Sequence, residues 1–375
     1  MKLAFLTELF PPYVLGGGEK QFFQLARQLV RRHEVHVYTM ALKGSPREEI
    51  REGIIIHRRG GPPNPMDRRE LLPIPSYLAS TLFPIEADLY HANTYVPCLS
   101  GWLQAKRTGR PVVVTIHDLY RGRWAEAFGS RLLAPLGEAL ERLVCRLPYH
   151  RIITVSEATR TALLQAFRLP ENRIVVIPNG IDGARIDAVS SHRDPWRVAF
   201  VGRLVPHKGV GLLLHALAIA RHDLPDLHAQ IVGSGFLKDS LMDLAKKLDL
   251  SDRVEFLGHQ PEDETVYRVM KSSSLFAFPS TREGFGIAVL EAMRCGAVPI
   301  LHDLPCYREF VSPLNSRIVP REASLLARTM TELLSDPARL GQMREAAMGA
   351  THSFEWSAIA SRVEAVYQGV MEDFS

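Results

Sequence analysis

The chain has 375 residues, 46% apolar and 23% charged, the balance of a globular protein long enough for two cores rather than one. Four cysteines at 98, 145, 295 and 306 form no CxxC pair, which argues against a zinc centre or a disulfide framework and for a reducing, cytoplasmic setting. The net charge of +4 is uneven, with 25 Lys and Arg against 18 Asp and Glu over residues 1–190 and 20 against 23 beyond, and no zinc-finger, RNP or basic-zipper signature points to nucleic acid.

The opening "MKLAFLTELF" reads as a first strand. Its apolar run is broken by Glu8 and too short for a signal peptide, and no stretch reaches the ~20 apolar residues of a spanning helix. A glycine-rich loop, "PPYVLGGG", follows. The helix "EKQFFQLARQLVRR" then carries Phe22, Ala26, Leu29 and Val30 along one stripe. Further strands are expected at "EVHVYTM", "GIIIHRR", "ADLYHAN", "PVVVTIH", "RIITVS" and "IVVIPN", which completes one doubly wound domain over 1–188. "SSHRDPWR" reads as a linker, after which the pattern restarts. Strands at "RVAFVGRL", "HAQIVGSG", "VEFLGH", "LFAFPS" and "VPILHD" alternate with helices at "GVGLLLHALAIA", "LKDSLMDLAKKL" and "GIAVLEAM", giving a second domain of the same type over 189–354. The tail, 355–375, is an amphipathic helix with Trp356, Ile359, Val363 and Val366 spaced for burial. The expected fold class is therefore α/β, two doubly wound Rossmann-like domains facing across a cleft, where ligands of such sheets bind.

Three loops at strand ends could carry chemistry. Gly16-Gly17-Gly18 opens a helix, so its backbone N–H groups can approach a phosphate, although glycines also serve plain turns and the spacing is not GxGxxG. In "VGRLVPHKGV", Arg203 and Lys208 stand between a strand end and a helix start, a pair suited to a diphosphate; the plainer alternative is two solvated surface cations. In "PSTREGFGIAVLEAM", Phe285, Gly286 and Ile287 present successive N–H donors and Glu283 accepts from hydroxyls. Glu291 lies four residues beyond Ile287, about 6 Å along the helix. One glutamate for a sugar and one for the ribose of the same nucleotide answers why both are there; a cap and a surface pair is the bland reading.

This ordered set resembles the retaining GT-B glycosyltransferases of family 4, glycosyl transferases group 1. The resemblance runs nearly end to end, through "GGGE" (16–19), "TIHD" (115–118), "IPNGID" (177–182), "VGRLVPHKG" (201–209), "IVGSG" (231–235), Glu283 to Glu291, and "FEWSAIASRVEAVY", which is similar to the family's last helix, crossing back onto the first domain. The resemblance implies that Arg203 and Lys208 hold the donor diphosphate and stabilise the departing nucleotide. Glu283 then meets the donor sugar beside the amides of Phe285, Gly286 and Ile287, and Glu291 takes the ribose hydroxyls. Gly16, Gly17 and Gly18 cover the diphosphate, and His117 contacts the sugar near its reacting carbon. His91 reads as a core histidine. The implied reaction moves a hexosyl group from a UDP- or GDP-linked sugar, as co-substrate, to a hydroxyl acceptor that is a glycan, lipid-linked or a small molecule. It needs no metal and no cofactor. An NDP-sugar epimerase and a non-catalytic sugar-nucleotide-binding subunit remain the alternatives.

The acceptor wall has two candidates. Residues 57–78 combine Arg58, Arg59, Arg68 and Arg69 with an apolar segment, a composition that also fits a peripheral membrane contact through the basic first domain. Residues 119–128 bring Arg121, Arg123 and Trp124.

Overall fold

The computed structural model describes residues 1–12, 16–41, 44–60, 77–79, 81–125 and 131–374. The chain divides into two units, Met1–Gly180 with Trp356–Ser375, and Ile181–Glu355.

In the first unit the described strands are β1 (Lys2–Leu6), β2 (Glu34–Met40), β3 (Glu48–Arg51), β4 (Ile54–Arg59), β5 (Leu89–Asn93), β6 (Val112–Ile116), β7 (Arg151–Thr154) and β8 (Ile174–Val176). Between them run α1 (Gly17–Leu29), α2 (Val96–Thr108), α3 (Ala134–Val144) and α4 (Glu157–Phe167). The sheet order is β3-β4-β2-β1-β5-β6-β7-β8. Every neighbouring pair is parallel except β3 with β4. The central strands read "LYHAN" and "VVVTI" and are buried at every position, as parallel strands covered on both faces must be. Strand β3 was not expected from the sequence. Its residues "EEIR" have no apolar alternation, and it lies antiparallel at the sheet edge, where charge discourages pairing with another chain.

The stripe on α1 is Phe22, Leu25, Ala26 and Leu29, all buried. It shares a core with Phe5 and with Trp356, Ile359, Val363, Tyr367 and Val370 of the C-terminal helix (Trp356–Phe374). Val366, expected in that stripe, is half-buried, and Tyr367 takes the inward place. Each leucine, isoleucine, valine or phenylalanine among them contributes about 1.5–3 kcal/mol on burial. His91 is a core residue. Its Nδ1 lies 2.5 Å from the Tyr367 hydroxyl and its Nε2 2.8 Å from Thr115 Oγ1, and burial lowers its pKa to about 3, so it is neutral. Glu364 adds a polar anchor, 2.7 Å from both His33 and Arg32.

The second unit begins with α5 (Gly183–Ala188), capped by the Asp182 carboxylate, which accepts from the Arg185 amide. Its strands are β9 (Asp194–Val201), β10 (His228–Val232), β11 (Val254–Gly258), β12 (Ser273–Phe278), β13 (Val298–Leu301) and β14 (Arg317–Ile318). The helices between and after them are α6 (Val210–Ala220), α7 (Lys238–Lys247), α8 (Asp263–Lys271), α9 (Ile287–Arg294), α10 (Ala323–Leu334) and α11 (Pro337–Gly349). The order β11-β10-β9-β12-β13-β14 is all parallel and reverses direction between β9 and β12, the place where such sheets bind nucleotides. The stretch read as a linker is in part a strand. Asp194 starts β9 by donating its amide to the Ser272 carbonyl at 2.8 Å, and Pro195 is tolerated because it stands at the strand's first positions.

Candidate active site

The second unit gathers two loops at its topological switch. The loop leaving β9 runs through Arg203 and Lys208 to Gly209, which starts α6 in the left-handed conformation at φ +73°. A Cβ at Gly209 would lie 2.3 Å from the Pro279 carbonyl oxygen, so only glycine lets this loop touch the end of β12. The contact is tied by the Thr281 amide donating to the His207 carbonyl at 2.8 Å and by Ser280 Oγ donating to the same oxygen at 3.1 Å. Lys208 Nζ then stands 2.5 Å from Glu283 Oε1, each side chain 12% exposed. The same ammonium lies 4.9 Å from the centre of the Phe278 ring. Arg203 is partly exposed, and its side chain has no ion pair or hydrogen bond among the described residues.

Beyond Glu283 the chain turns through Gly286, φ +101°, into α9. The ring of Tyr307 underlies this turn, 2.7 Å from where a Cβ on Gly286 would be. Phe285 is 2% exposed and packs on Phe310 and Phe354, so its backbone rather than its ring is available to a ligand. Neither α6 nor α9 has a side-chain cap or an acidic residue in its first turn. Two helix N-termini with open N–H groups, the positive ends of their dipoles, therefore accompany Arg203 and Lys208. Such a group of donors fits a ligand with two adjacent negative charges. Glu291 lies deeper, 5% exposed, with the Tyr267 hydroxyl donating to its Oε1 at 3.4 Å.

In the first unit the corresponding place is the carboxyl end of β1, β5 and β6. Gly16 is the N-cap of α1, again with no side-chain cap, and Gly17 and Gly18 form its first turn. A Cβ on Gly18 would come 3.1 Å from His117 Nε2. His117 Nε2 lies 2.7 Å from Asn93 Oδ1, and Asn93 Nδ2 donates to Thr7 Oγ1 at 3.4 Å. Thr7 Oγ1 donates in turn to the Leu9 carbonyl, 3.2 Å away, which can only accept. That fixed end orients the chain, so His117 carries its proton on Nε2 and offers a lone pair on Nδ1. Burial lowers its pKa to about 4, which keeps the ring neutral at physiological pH.

The residues after His117 hang from one carboxylate. Glu141 on α3 is 1% exposed. Its Oε1 accepts from the Tyr95 hydroxyl at 2.8 Å and the Tyr120 amide at 2.6 Å, and its Oε2 from Trp124 Nε1 at 3.2 Å. Thr94 and Tyr95 both hold positive φ, 46° and 47°, unusual for residues of this bulk and concentrated at the end of β5.

The structure thus places Arg203, Lys208, Glu283, Phe285, Gly286 and Ile287 at the β9/β12 switch, and Gly16, Gly17, Gly18 and His117 in the loop cluster of the first unit. Trp124 belongs to the Glu141 network. Of the acceptor segment 57–78, residues 61–76, with Arg68 and Arg69, lie outside the described residues, as do 126–128 of the second candidate. Sequence reading missed Asn93, Thr7, Glu141 and Tyr307. Only the buried polar residue at the end of a buried strand, Asn93, could have drawn notice.

Comparisons with known proteins agree with this architecture. Residues 184–349 match the family described as Glycosyl transferases group 1, and residues 15–185 match Glycosyltransferase Family 4. The fold is that of the GT-B glycosyltransferases. The chain belongs to family 4 of that class, and it is a glycosyltransferase. A D-inositol 3-phosphate glycosyltransferase of Thermobispora bispora is 28% identical over 95% of this chain and 90% of its own length. An uncharacterized glycosyltransferase of Methanocaldococcus jannaschii is 26% identical over 99% of both. Among solved structures, sucrose-phosphate synthase from Thermosynechococcus elongatus superposes with a TM-score of 0.85 at 20% identity, covering 99% of each chain. Anabaena HepE in complex with UDP and glucose gives 0.77 at 23%, over 98% of this chain and all of that one. These matches do not favour the epimerase or the non-catalytic reading. No helix among the described residues is long and apolar enough to cross a membrane.

Proposed function

We propose that the protein transfers a hexosyl group from a UDP- or GDP-linked sugar to an acceptor hydroxyl with retention of configuration, without a metal ion. The observation that carries this reading is the Lys208–Glu283 pair beside Arg203 and the two uncapped helix N-termini. Arg203, Lys208 and the N–H groups of Gly286 and Ile287 hold the diphosphate. Glu283 accepts from the donor sugar's hydroxyls, and Glu291 takes the ribose. In the first unit, Gly16, Gly17 and Gly18 meet the diphosphate with their N–H groups, and neutral His117 meets the sugar.

In the reaction the bond between the sugar's anomeric carbon and the diphosphate breaks, and the electron pair leaves with the diphosphate. The acceptor oxygen bonds to the same face of that carbon and gives its proton to the departing phosphate oxygen. Negative charge grows on the leaving group, and fixed cations and N–H dipoles stabilise it there. Two cations already in place supply the charge for which other phosphate chemistry recruits a metal. The acceptor is a glycan, a lipid-linked molecule or a small molecule.

Calorimetric titration of UDP- and GDP-hexoses into the wild type and Arg203→Ala tests the assignment. One donor class is expected to bind, and the variant to bind it at least about tenfold more weakly. Equal affinity in both proteins would remove Arg203 from the diphosphate.

A further inference from the structure

We propose that the outer face of α3 in the first unit is a docking surface for an anionic lipid bilayer. Helix α3 is held from inside. Gly137 sits against the Trp124 indole, so closely that a Cβ would lie 2.2 Å from it, and Glu141 and Val144 continue that buried line at one-turn spacing. A helix seated in this way needs polar residues on its far side. Instead, Leu132 is 91% exposed, Leu136 66% and Leu143 50%. These positions, with exposed Ala139, recur at i, i+4, i+7 and i+11, which places them along one stripe. The stripe begins in the turn before the helix, where Leu133 already has the helical conformation.

Charge decides what the stripe meets. By the same periodicity Arg131, Arg142 and Arg146, all exposed, run along one flank of the leucines. Among the described residues neither Arg131 nor Arg142 has an ion-pair partner. The carboxylates of α3 are turned to other work: Glu141 is buried in the aromatic network, and Glu138 accepts from the Gly122 amide. Apolar residues along one line with cations beside them and no free acid among them form the pattern of a helix lying in a lipid headgroup layer, leucines in the acyl boundary and arginines on lipid phosphates. This face is separate from residues 57–78, where the sequence alone suggested a membrane contact. It stands apart from the donor assignment, because bilayer binding is read without any turnover.

The test is co-sedimentation of the full chain with vesicles of phosphatidylglycerol and phosphatidylcholine against pure phosphatidylcholine. The expected result is binding to the anionic vesicles only, weakened at least about tenfold by Leu132→Ser/Leu136→Ser/Leu143→Ser and by Arg131→Glu/Arg142→Glu, and weakened by salt in the wild type. The substituted side chains face solvent, and an unchanged melting temperature verifies that the variants fold. Failure of the wild type to bind anionic vesicles overturns the proposal, as does equal binding by the leucine variant. A concentration-dependent dimer that the leucine variant abolishes would overturn it in favour of self-association.

Discussion

Replacing Lys208 by Met removes an ammonium while keeping most of its stem, and the consequences for stability and turnover separate cleanly. Glu283 is left 12% exposed with its partner gone. Breaking a fully buried pair costs about 3–5 kcal/mol, and the remaining access to water brings this to about 2–3 kcal/mol. Loss of the ammonium over Phe278 adds about 0.5–1 kcal/mol. For a unit of this size each kcal/mol is worth about 2–4 °C, so the melting temperature should fall by about 5–16 °C. Pairing the change with Glu283→Gln leaves no unpaired charge, and most of that loss should return. Turnover should behave differently, because in the proposed reaction the cation serves the leaving diphosphate. Both the single and the double variant should lose about 10²–10³-fold in kcat. Differential scanning fluorimetry and a nucleotide-release assay on the three proteins give the comparison. A single variant within threefold of wild-type turnover would refute the role of Lys208. A double variant no more stable than the single would show that the two charges are not coupled.

Other parts of the account make separate predictions. His117 has a folded pKa of about 4, below the ordinary 6.5, so between those values the unfolded chain binds the proton and the folded one does not. Stability is therefore complete above about pH 6.5 and declines as the pH falls toward 4, and melting curves of His117→Gln should show a shallower decline than the wild type; parallel curves would contradict the buried neutral ring. Gly209→Ala should lose at least about 2 kcal/mol, since alanine must enter the left-handed region and meet the Pro279 carbonyl; an unchanged denaturation midpoint would contradict the close approach. Glu141→Gln keeps the shape but swaps one acceptor oxygen for an amide donor facing the Tyr120 amide or the Trp124 indole. It should lower kcat about 10–100-fold by loosening the His117 loop while donor Kd measured by calorimetry stays the same; an unchanged kcat would leave Glu141 with packing alone.

The legible part of the sequence was periodic. Apolar runs such as "VVVTI" and the stripe of α1 announce their elements because parallel strands and amphipathic helices bury what they need in order. Strand β3 escaped because "EEIR" earns its place at an edge by pairing and not by burial, and β9 was cut short in the reading because Pro195 resembles a linker residue until its position at the strand's start is seen. The loop motifs were legible for a similar reason, since Lys208 and Gly209 or Gly286 and Ile287 are neighbours in sequence. The contacts that complete the sites join residues far apart: Lys208 meets Glu283, His117 meets Asn93, and Glu141 collects Tyr95, Tyr120 and Trp124. Sheet order makes these meetings, and a linear pattern carries no trace of which strand ends lie side by side.

The most direct measurement of the central claim is release of nucleoside diphosphate from a panel of UDP- and GDP-hexoses, without added acceptor and with EDTA present, by the wild type and Lys208→Met. Slow hydrolysis of one donor class that survives EDTA and is lost in the variant is the predicted result. Hydrolysis that EDTA abolishes, or that Lys208→Met leaves intact, would contradict a transfer driven by the protein's own cations.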